Sequence, residues 1–339
     1  MKTTILTIDG TIKLAQFWPK GSSDADTTKL VLTVSNESFR VREPGDPAAR
    51  VTHAYAGASV KASGVDKALI KNNTITVRLQ RIDAPELHAR PKFILLDKKT
   101  GEFGSLAGTG FTKDFRQRQR ETATLRLAKF LESRGGAEVA CTFTTQLEPT
   151  EGPGAAIDAY GRFVGDIMLS TTNLNLWALE QGLAVVALYN SMHDFEIAES
   201  LAAWQKGQRA REGIARFYRS TFGRFEPLEF RKAGSRVSNE TSARFIHPKF
   251  FRRQCTWWAY HQAKKYNGSF ADFLQRQAEK CFHMDDFLAK HNKAPKQLLY
   301  DKKTDGNGVA WPPEAFIFIE APATVEQVTA EGRTKVTRW

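Results

Sequence analysis

The chain has 339 residues, of which 49 are Lys or Arg and 37 are Asp or Glu, which gives a formal net charge of +12 at pH 7. The length leaves room for two domains. The charge favours polyanionic partners, because phosphate contacts supply most non-specific affinity, although many basic proteins bind no nucleic acid. Three cysteines exclude a disulfide framework, and no apolar run is long enough to span a membrane. Residues 1–9 lack the apolar core of a secretory signal, so we expect a cytoplasmic protein without membrane contact.

An acidic segment over residues 24–30 is the first candidate for chemistry. Asp24 and Asp26 carry carboxylates, and Ca²⁺ and Mg²⁺ are hard ions that prefer oxygen ligands. An isolated Asp-x-Asp-Thr run is more often a turn or a helix cap. The segment therefore becomes a strong candidate only in combination with motifs further along the chain.

Residues 31–75 come next and are far longer than a hairpin connection needs. The pattern predicts a strand over 31–41, a turn at 44–47 and a short helix near 65–70. This insertion would flank a binding groove, gate it or decorate the fold, and decoration is favoured.

A predicted strand over 75–80 carries a candidate phosphate ligand. Apolar and polar residues alternate there, which is the period of a half-buried strand, and Arg78 lies on the polar face. Pro85 ends the strand, so Asp83 and Glu86 fall at its exit, where loops on a rigid scaffold usually carry function.

A second expansion over 87–110 comes after this strand, and its exposed His88 is more often incidental than a proton carrier. The remaining elements up to residue 217 are predicted from apolar spacing and from glycine and turn signals. They are a helix over 112–134, strands over 137–143 and 162–169 separated by a loop and the turn at Tyr160-Gly161, and helices over 173–184 and 196–211.

These residues match what phosphodiester hydrolysis requires. An enzyme must neutralise charge on the non-bridging oxygens, position a water and remove its proton. Asp26 and Asp83 would bind a hard cation. Arg78 and Arg162 match phosphate geometry bidentately. Glu86 would act as general base if it lies within hydrogen-bonding reach of the water.

Three motifs, at residues 24–30, 78–86 and 158–162, resemble in this order the staphylococcal-nuclease-like (thermonuclease) family, and the resemblance extends over about residues 5–217. The resemblance implies an α+β fold in which helices cap a five-stranded OB-type β-barrel, a fold that commonly binds single strands. It also implies cleavage of DNA and RNA with little sequence preference, on the 5′ side of phosphorus, with Ca²⁺ as the usual metal and Mg²⁺ or Mn²⁺ as alternatives.

The same resemblance implies a role for each matching position. Ala84 stands where the family usually has a hydroxyl residue, a change that a backbone ligand would tolerate. The implied roles are metal binding by Asp26, Asp83 and the backbone carbonyl of Ala84, an acidic position supporting the metal site at Asp24, proton abstraction by Glu86, phosphate binding by Arg78 and Arg162, and contact with a nucleotide base by Tyr160.

The C-terminal region lies outside the resemblance. We expect the nuclease-like domain to span residues 1–221, a linker to span 222–239 and a mainly helical domain, binding substrate or a protein partner, to span 240–339. Basic and aromatic residues interleave over 248–261, which is typical either of a nucleic-acid stacking surface or of a helix with Phe251, Cys255 and Trp258 in a core. The candidate substrate contacts on its solvent side are Arg252, Arg253, Lys264 and Lys265. The tail from Trp311 predicts a strand followed by a loose end.

We therefore predict a metal-dependent endonuclease. A non-specific nuclease in its own cytoplasm would damage the genome, so restraint is expected from scarce Ca²⁺, a covering partner or a delivery system. One alternative is a scaffold of the same fold that binds nucleic acid without catalysis, which would have no use for Glu86. Another is a protein-interaction module, which would show no salt-dependent affinity for DNA.

Overall fold

In the computed structural model the chain forms two units. The first consists of Met1–Gln80, Thr124–Ala178 and Glu320–Trp339, and the second of Arg81–Ala123 and Leu179–Ile319. The division at 1–221, 222–239 and 240–339 stays a prediction, and each unit draws residues from both sides of it. The structure describes residues 3–35, 37–62, 64–89, 94–96, 103–106, 117, 120–211, 213–216, 247–262, 266–276, 281–289, 312–320 and 322–339.

The elements of both units are numbered here in chain order. The strands are β1 (Thr4–Lys13), β2 (Thr27–Leu32), β3 (Phe39–Arg42), β4 (Arg50–Val51), β5 (Ala58–Ala62), β6 (Val65–Ala68), β7 (Thr74–Leu79), β8 (Ile82–Asp83), β9 (Ile94–Leu96), β10 (Phe103–Leu106), β11 (Glu138–Leu147), β12 (Phe163–Leu169), β13 (Thr172–Asn173), β14 (Val185–Val186), β15 (Leu188–Tyr189), β16 (Cys281–His283), β17 (Phe316–Phe318), β18 (Val325–Thr329) and β19 (Gly332–Lys335). The α-helices are α1 (Arg120–Gly135), α2 (Leu174–Glu180), α3 (Asp194–Ala210), α4 (Pro248–Gln262), α5 (Phe270–Arg276) and α6 (Met284–Ala289).

Five strands of the first unit close into a mixed barrel. β1 pairs with β2, β2 with β7, β7 with β12, β12 with β11 and β11 with β1. The β7–β12 pair is parallel, and the other pairs are antiparallel. The closing pair runs from Thr4 opposite Leu147 to Lys13 opposite Glu138. The predicted α+β fold with a five-stranded OB-type barrel is thus confirmed, since closure leaves these strands without an open edge.

Strand β7 has the predicted alternation. Ile75, Val77 and Leu79 are buried, whereas Arg78 is half-buried on the other face. Gln80 departs from the pattern, because it is buried just beyond the strand end. The alternation therefore places Arg78 as predicted, at the edge of the barrel core.

Two predictions for the insertion over 31–75 differ from the structure. The predicted strand over 31–41 is interrupted, since β2 ends at Leu32 and β3 begins at Phe39. The predicted helix near 65–70 is wrong, because Val65–Ala68 forms β6 and pairs with β5. Its strand conformation depends on a pairing partner, which local spacing does not reveal.

The last residues join the same sheet. β18 pairs with β5, placing Val325 opposite Val60, and β19 pairs with β18. Val325 is 1% exposed, so this contact is a buried one. The tail was predicted to end loosely, and that prediction is wrong because the insertion supplies an edge strand for it.

The second unit combines helices with short sheets. β14 pairs with β8, and β17 lies between β15 and β16. In α4, Phe251 and Cys255 are buried as predicted, whereas Trp257 is buried in place of Trp258. Among the described residues, no helix has the length and apolar character needed to cross a membrane.

Candidate active site

Thr27 connects the acidic segment with the arginines of the first unit. Its hydroxyl donates to Asp26 Oδ1 at 2.9 Å and accepts from Arg162 Nη1 at 3.2 Å. Its backbone lies opposite Arg78 in the β2–β7 register. One residue therefore brings a candidate metal ligand and both candidate phosphate ligands to the same end of these strands.

Asp24 shapes the turn that precedes β2. Its Oδ1 accepts from the backbone N–H of Thr27 at 3.0 Å and of Asp26 at 3.4 Å. The carbonyl of Asp26 accepts from the N–H of Leu79 at 2.8 Å, which fixes the segment against β7. Asp26 is 6% exposed. Asp24 thus fixes the backbone of the turn that carries Asp26. Its supporting role at a metal site stays a prediction.

Asp158 orients Arg162 from within the same turn. Its Oδ1 accepts from the backbone N–H groups of Tyr160 and Arg162, both at 2.9 Å. Its Oδ2 accepts from Arg162 Nε at 2.7 Å. Charge-assisted bonds of this kind hold a guanidinium in one geometry. Sequence reasoning assigned Asp158 no role, although its spacing of four residues from Arg162 was a usable signal.

The insertion supports this turn. Gly161 has φ +74°, and a Cβ added there would lie 2.7 Å from Val60 Cγ2 on β5. Lys67 Nζ on β6 donates to the carbonyl of Tyr160 at 2.7 Å. Burial lowers the pKa of Lys67, an effect that Asp158 opposes and Arg162 reinforces. Lys67 was not predicted, because no sequence signal connects β6 with this turn.

Tyr160, the predicted base contact, is an exposed aromatic residue beside Arg162. Its side chain is among the exposed large hydrophobic groups, at 60%. The guanidinium carbon of Arg162 lies 5.4 Å from the ring centroid. An exposed aromatic face beside an arginine suits base stacking next to a phosphate.

The other three candidate residues, Asp83, Ala84 and Glu86, lie near the start of the first segment of the second unit. Asp83, at the end of β8, is fully buried, and Ala84 is 3% exposed. The N–H of Glu86 donates to Gln117 Oε1 at 3.1 Å, and its carbonyl accepts from the N–H of Gln117 at 2.9 Å. The backbone around Glu86 is therefore fixed on both sides.

Arg252 of α4 contacts both carboxylates of this unit. Its Nη1 donates to Glu86 Oε1 in a direct ion pair, and its Nη2 lies 3.4 Å from Asp83 Oδ2. The side chains of Arg252 and Glu86 are 36% and 14% exposed. Arg252 was predicted to contact substrate, but in the structure it pairs with the proposed base and a proposed metal ligand. The predicted contacts Lys264 and Lys265 lie outside the described residues, and Arg253 is half-buried on α4.

His247 adds a second basic group next to Asp83. Its Nδ1 lies 3.7 Å from Asp83 Oδ2 and accepts from the backbone N–H of Lys249 at 3.2 Å. The ring is fully buried and contacts Phe250 and Phe318. Sequence reasoning did not identify His247, because it precedes α4 and no local pattern connects it with Asp83.

The donor chemistry of these positions fits a hard divalent cation. Asp26, Asp83 and the carbonyl of Ala84 offer oxygen atoms only, which suits Ca²⁺, Mg²⁺ or Mn²⁺. In the part of the chain that the structure describes, no group of three or more His, Cys, Asp and Glu side chains forms a candidate metal cluster. The fit thus rests on the kind of donor.

The comparison with protein families agrees with this chemistry. Residues 76–215 match the family model described as Staphylococcal nuclease homologue. This nuclease-homologue region contains Arg78, Asp83, Glu86 and Arg162, whereas the acidic segment precedes it. The suspected resemblance is thereby confirmed over that stretch. No curated protein matches the chain. The region and the barrel point to a nuclease-like or nucleic-acid-binding function.

Proposed function

We propose that the protein is a metal-dependent nuclease that hydrolyses phosphodiester bonds of DNA or RNA with little sequence specificity. The observation that carries the proposal is the joint contact of Asp26 and Arg162 with Thr27. It puts a carboxylate suited to a cation beside an arginine suited to phosphate, as charge neutralisation at a phosphodiester requires.

Cation and phosphate binding are divided among five residues in the proposed reaction. Asp26, Asp83 and the carbonyl of Ala84 would hold Ca²⁺, or Mg²⁺ or Mn²⁺ in its place, and the bound cation supplies positive charge at the phosphate and orients a water. Arg78 and Arg162 bind non-bridging oxygens. Two further tasks fall to Asp24, which keeps Asp26 in place, and to Tyr160, which stacks on a base.

Glu86 moves the proton. As a water oxygen bonds to phosphorus, one proton passes to the Glu86 carboxylate and the bond from phosphorus to the 5′ oxygen breaks. The 5′ oxygen leaves with the bonding electron pair and takes a proton from solvent, and Glu86 then releases its own proton to solvent, which leaves a 3′-phosphate and a 5′-hydroxyl. Asp158 keeps the guanidinium of Arg162 in one orientation, so no reorganisation is needed as charge develops.

We also propose that the nuclease is conditionally active. The support is the ion pair of Glu86 with Arg252, because a guanidinium then lies against Oε1 in place of the water that a general base must contact. A protein partner that covers or delivers the enzyme through the C-terminal region fits the same proposal. Rapid digestion of host DNA by the purified chain at cytosolic metal concentrations, without any partner, would contradict it.

Cleavage assays test the catalytic part of the proposal. Purified protein is incubated with single-stranded DNA, double-stranded DNA or RNA in Ca²⁺, Mg²⁺ or EDTA, and the products are separated on gels. We expect metal-dependent cleavage that falls roughly 10²–10⁴-fold in Glu86→Gln, as loss of a general base predicts. Arg162→Ala should lose roughly 10²–10³-fold, as removal of one oxyanion ligand does.

Lys129→Ala is the matched control, because Lys129 is an exposed basic residue of α1. It should cleave as the unaltered protein does. Nucleic acid that is bound but never cut, with equal affinity in Glu86→Gln, would favour the scaffold or a nuclease that awaits its activator. Absence of salt-dependent binding would favour a protein-interaction module.

A further inference from the structure

We infer that Arg252 is an intramolecular competitor of the divalent cation, and that α4 keeps the proposed site in a metal-excluding state until nucleic acid draws Arg252 away. The inference rests on the proposed function and specifies how that function is regulated. It concerns residues of the second unit only: Asp83, Glu86 and Arg252.

The geometry is that of one guanidinium shared by two carboxylates. Nη1 pairs with Glu86 Oε1, and Nη2 lies 3.4 Å from Asp83 Oδ2. These two side chains are the proposed proton acceptor and a proposed metal ligand. The side chain of Arg252 therefore contacts the proposed proton acceptor and a proposed metal ligand at the same time.

The guanidinium of Arg252 and a divalent cation exclude each other, because both would bring positive charge to the same carboxylate. Asp83 is fully buried, and a buried carboxylate requires a compensating positive charge. Arg252 supplies that charge here. A calcium ion must approach carboxylate oxygens to about 2.3–2.6 Å, where a permanently charged guanidinium on the same oxygen would repel it.

The apolar packing of α4 makes the contact a defined state. Phe251, next to Arg252, is fully buried, as is Cys255 one turn further along the helix. The His247 ring, just before the helix, packs on Phe250 and Phe318. Arg252 is thus presented from an anchored helix, so its contacts do not depend on a random surface encounter.

The exposure of Arg252 indicates what releases it. Its side chain is 36% exposed, whereas Asp83 is completely buried, so a large anion can reach the guanidinium but not the carboxylate behind it. Phosphodiesters bind guanidinium groups bidentately and compete directly with carboxylates. A nucleic-acid strand would therefore remove the competitor and open the metal position in the same event.

Calcium affinity is the primary test. Full-length protein is titrated with CaCl₂ by isothermal titration calorimetry, without nucleic acid, in unaltered, Arg252→Gln and Lys249→Gln forms. If Arg252 excludes the cation, the Kd of Arg252→Gln tightens by roughly tenfold or more, because the competent fraction of molecules rises. Lys249→Gln removes the same charge from the same helix and should stay within about twofold of the unaltered protein.

Two results separate the inference from the proposed function. Calcium binding that is equal or weaker in Arg252→Gln overturns the inference and leaves the nuclease proposal intact. No calcium binding by any form, with Asp83→Asn indistinguishable from the unaltered protein, overturns both.

Thermal melting distinguishes competition with calcium from a purely structural effect of the Arg252→Gln substitution. Competition predicts that CaCl₂ raises the Tm of Arg252→Gln more than that of the unaltered protein. A Tm that is lowered by the same amount with and without CaCl₂ would assign Arg252 a packing role and overturn the inference.

Linkage to nucleic acid tests the release step. A short non-cleavable phosphorothioate oligonucleotide should tighten calcium binding more in the unaltered protein than in Arg252→Gln, because coupling between two ligands is reciprocal and only the unaltered protein also loses a competitor. Equal tightening in both forms would contradict release by nucleic acid.

Discussion

Arg162 in the first unit and Arg252 in the second both pair with carboxylates. The carboxylate partner of Arg162 is close in the sequence, whereas the partners of Arg252 are distant. Arg162 takes its shortest contact from Asp158, four residues earlier in the same turn. Arg252 pairs with Glu86 and Asp83, which are 166 and 169 residues away in the chain. The turn supplies the charged partner of Arg162 from within itself, whereas the contacts of Arg252 exist only when the second unit is folded and α4 is docked.

The difference shows why the first arrangement suits substrate binding and the second suits control. An arginine whose carboxylate partner lies in its own turn depends less on distant segments for its orientation, which suits a group that must be positioned for substrate. The contacts of an arginine held by distant carboxylates depend on how its whole helix packs. A change in that packing therefore changes the contacts of the carboxylates directly.

The largest expected effect comes from another distant pair of the second unit, Arg81 with Glu196. These residues are 115 positions apart, and each side chain is 3% exposed. Arg81→Met leaves the Glu196 carboxylate buried without this partner, so the free energy of unfolding should fall by about 3–5 kcal/mol in urea denaturation. Arg162→Met is the comparison, and it should change the value by about 1 kcal/mol or less because its pair is local and partly exposed. Equal losses in the two variants would break the contrast between distant and local pairs.

The sequence was informative where the contacts are local. Alternation placed Arg78 on the polar face of β7, and the Tyr160-Gly161 turn led into β12 as expected. Both features depend on neighbours within a few residues, because a strand alternates with a period of two and a turn is set by its own residues. The family resemblance rested on the same short motifs.

The sequence was uninformative where a distant partner decides the outcome. β6 forms because β5 pairs with it, and β18 forms because the edge of β5 accepts it. The pairing of Arg252 with Glu86 likewise depends on where α4 docks. A basic residue on a predicted helix is ordinarily solvated or bound to substrate, so no local pattern distinguishes a cation that faces the protein's own carboxylates.

Asp158→Asn tests whether the local arrangement serves catalysis more than stability. The amide keeps an acceptor for the turn but loses the charge that aligns Arg162 Nε, so kcat/KM should fall roughly 10–100-fold, as misplacement of a positioned group does. The fall should appear mainly in kcat, and Asp158→Glu should restore part of it. The Kd for CaCl₂ should not change. A variant that cleaves normally but melts much earlier would assign Asp158 a structural role only.

Gly161→Ala gives the smallest expected effect and tests how the insertion supports the turn. Gly161 and Gly45 both have positive φ values, +74° and +87°, so alanine costs conformational energy of about 1 kcal/mol at either position. At Gly161 the new Cβ would also lie 2.7 Å from Val60 Cγ2, whereas at Gly45 nothing lies within 4 Å. Denaturation in urea should therefore show a larger loss for Gly161→Ala than for Gly45→Ala. Adding Val60→Ala to both variants should reduce the extra loss at Gly161 without changing the relative cost at Gly45. If the two glycine variants lose the same stability, β5 does not constrain the turn, and the support that remains for it comes from Asp158 and from Lys67 on β6.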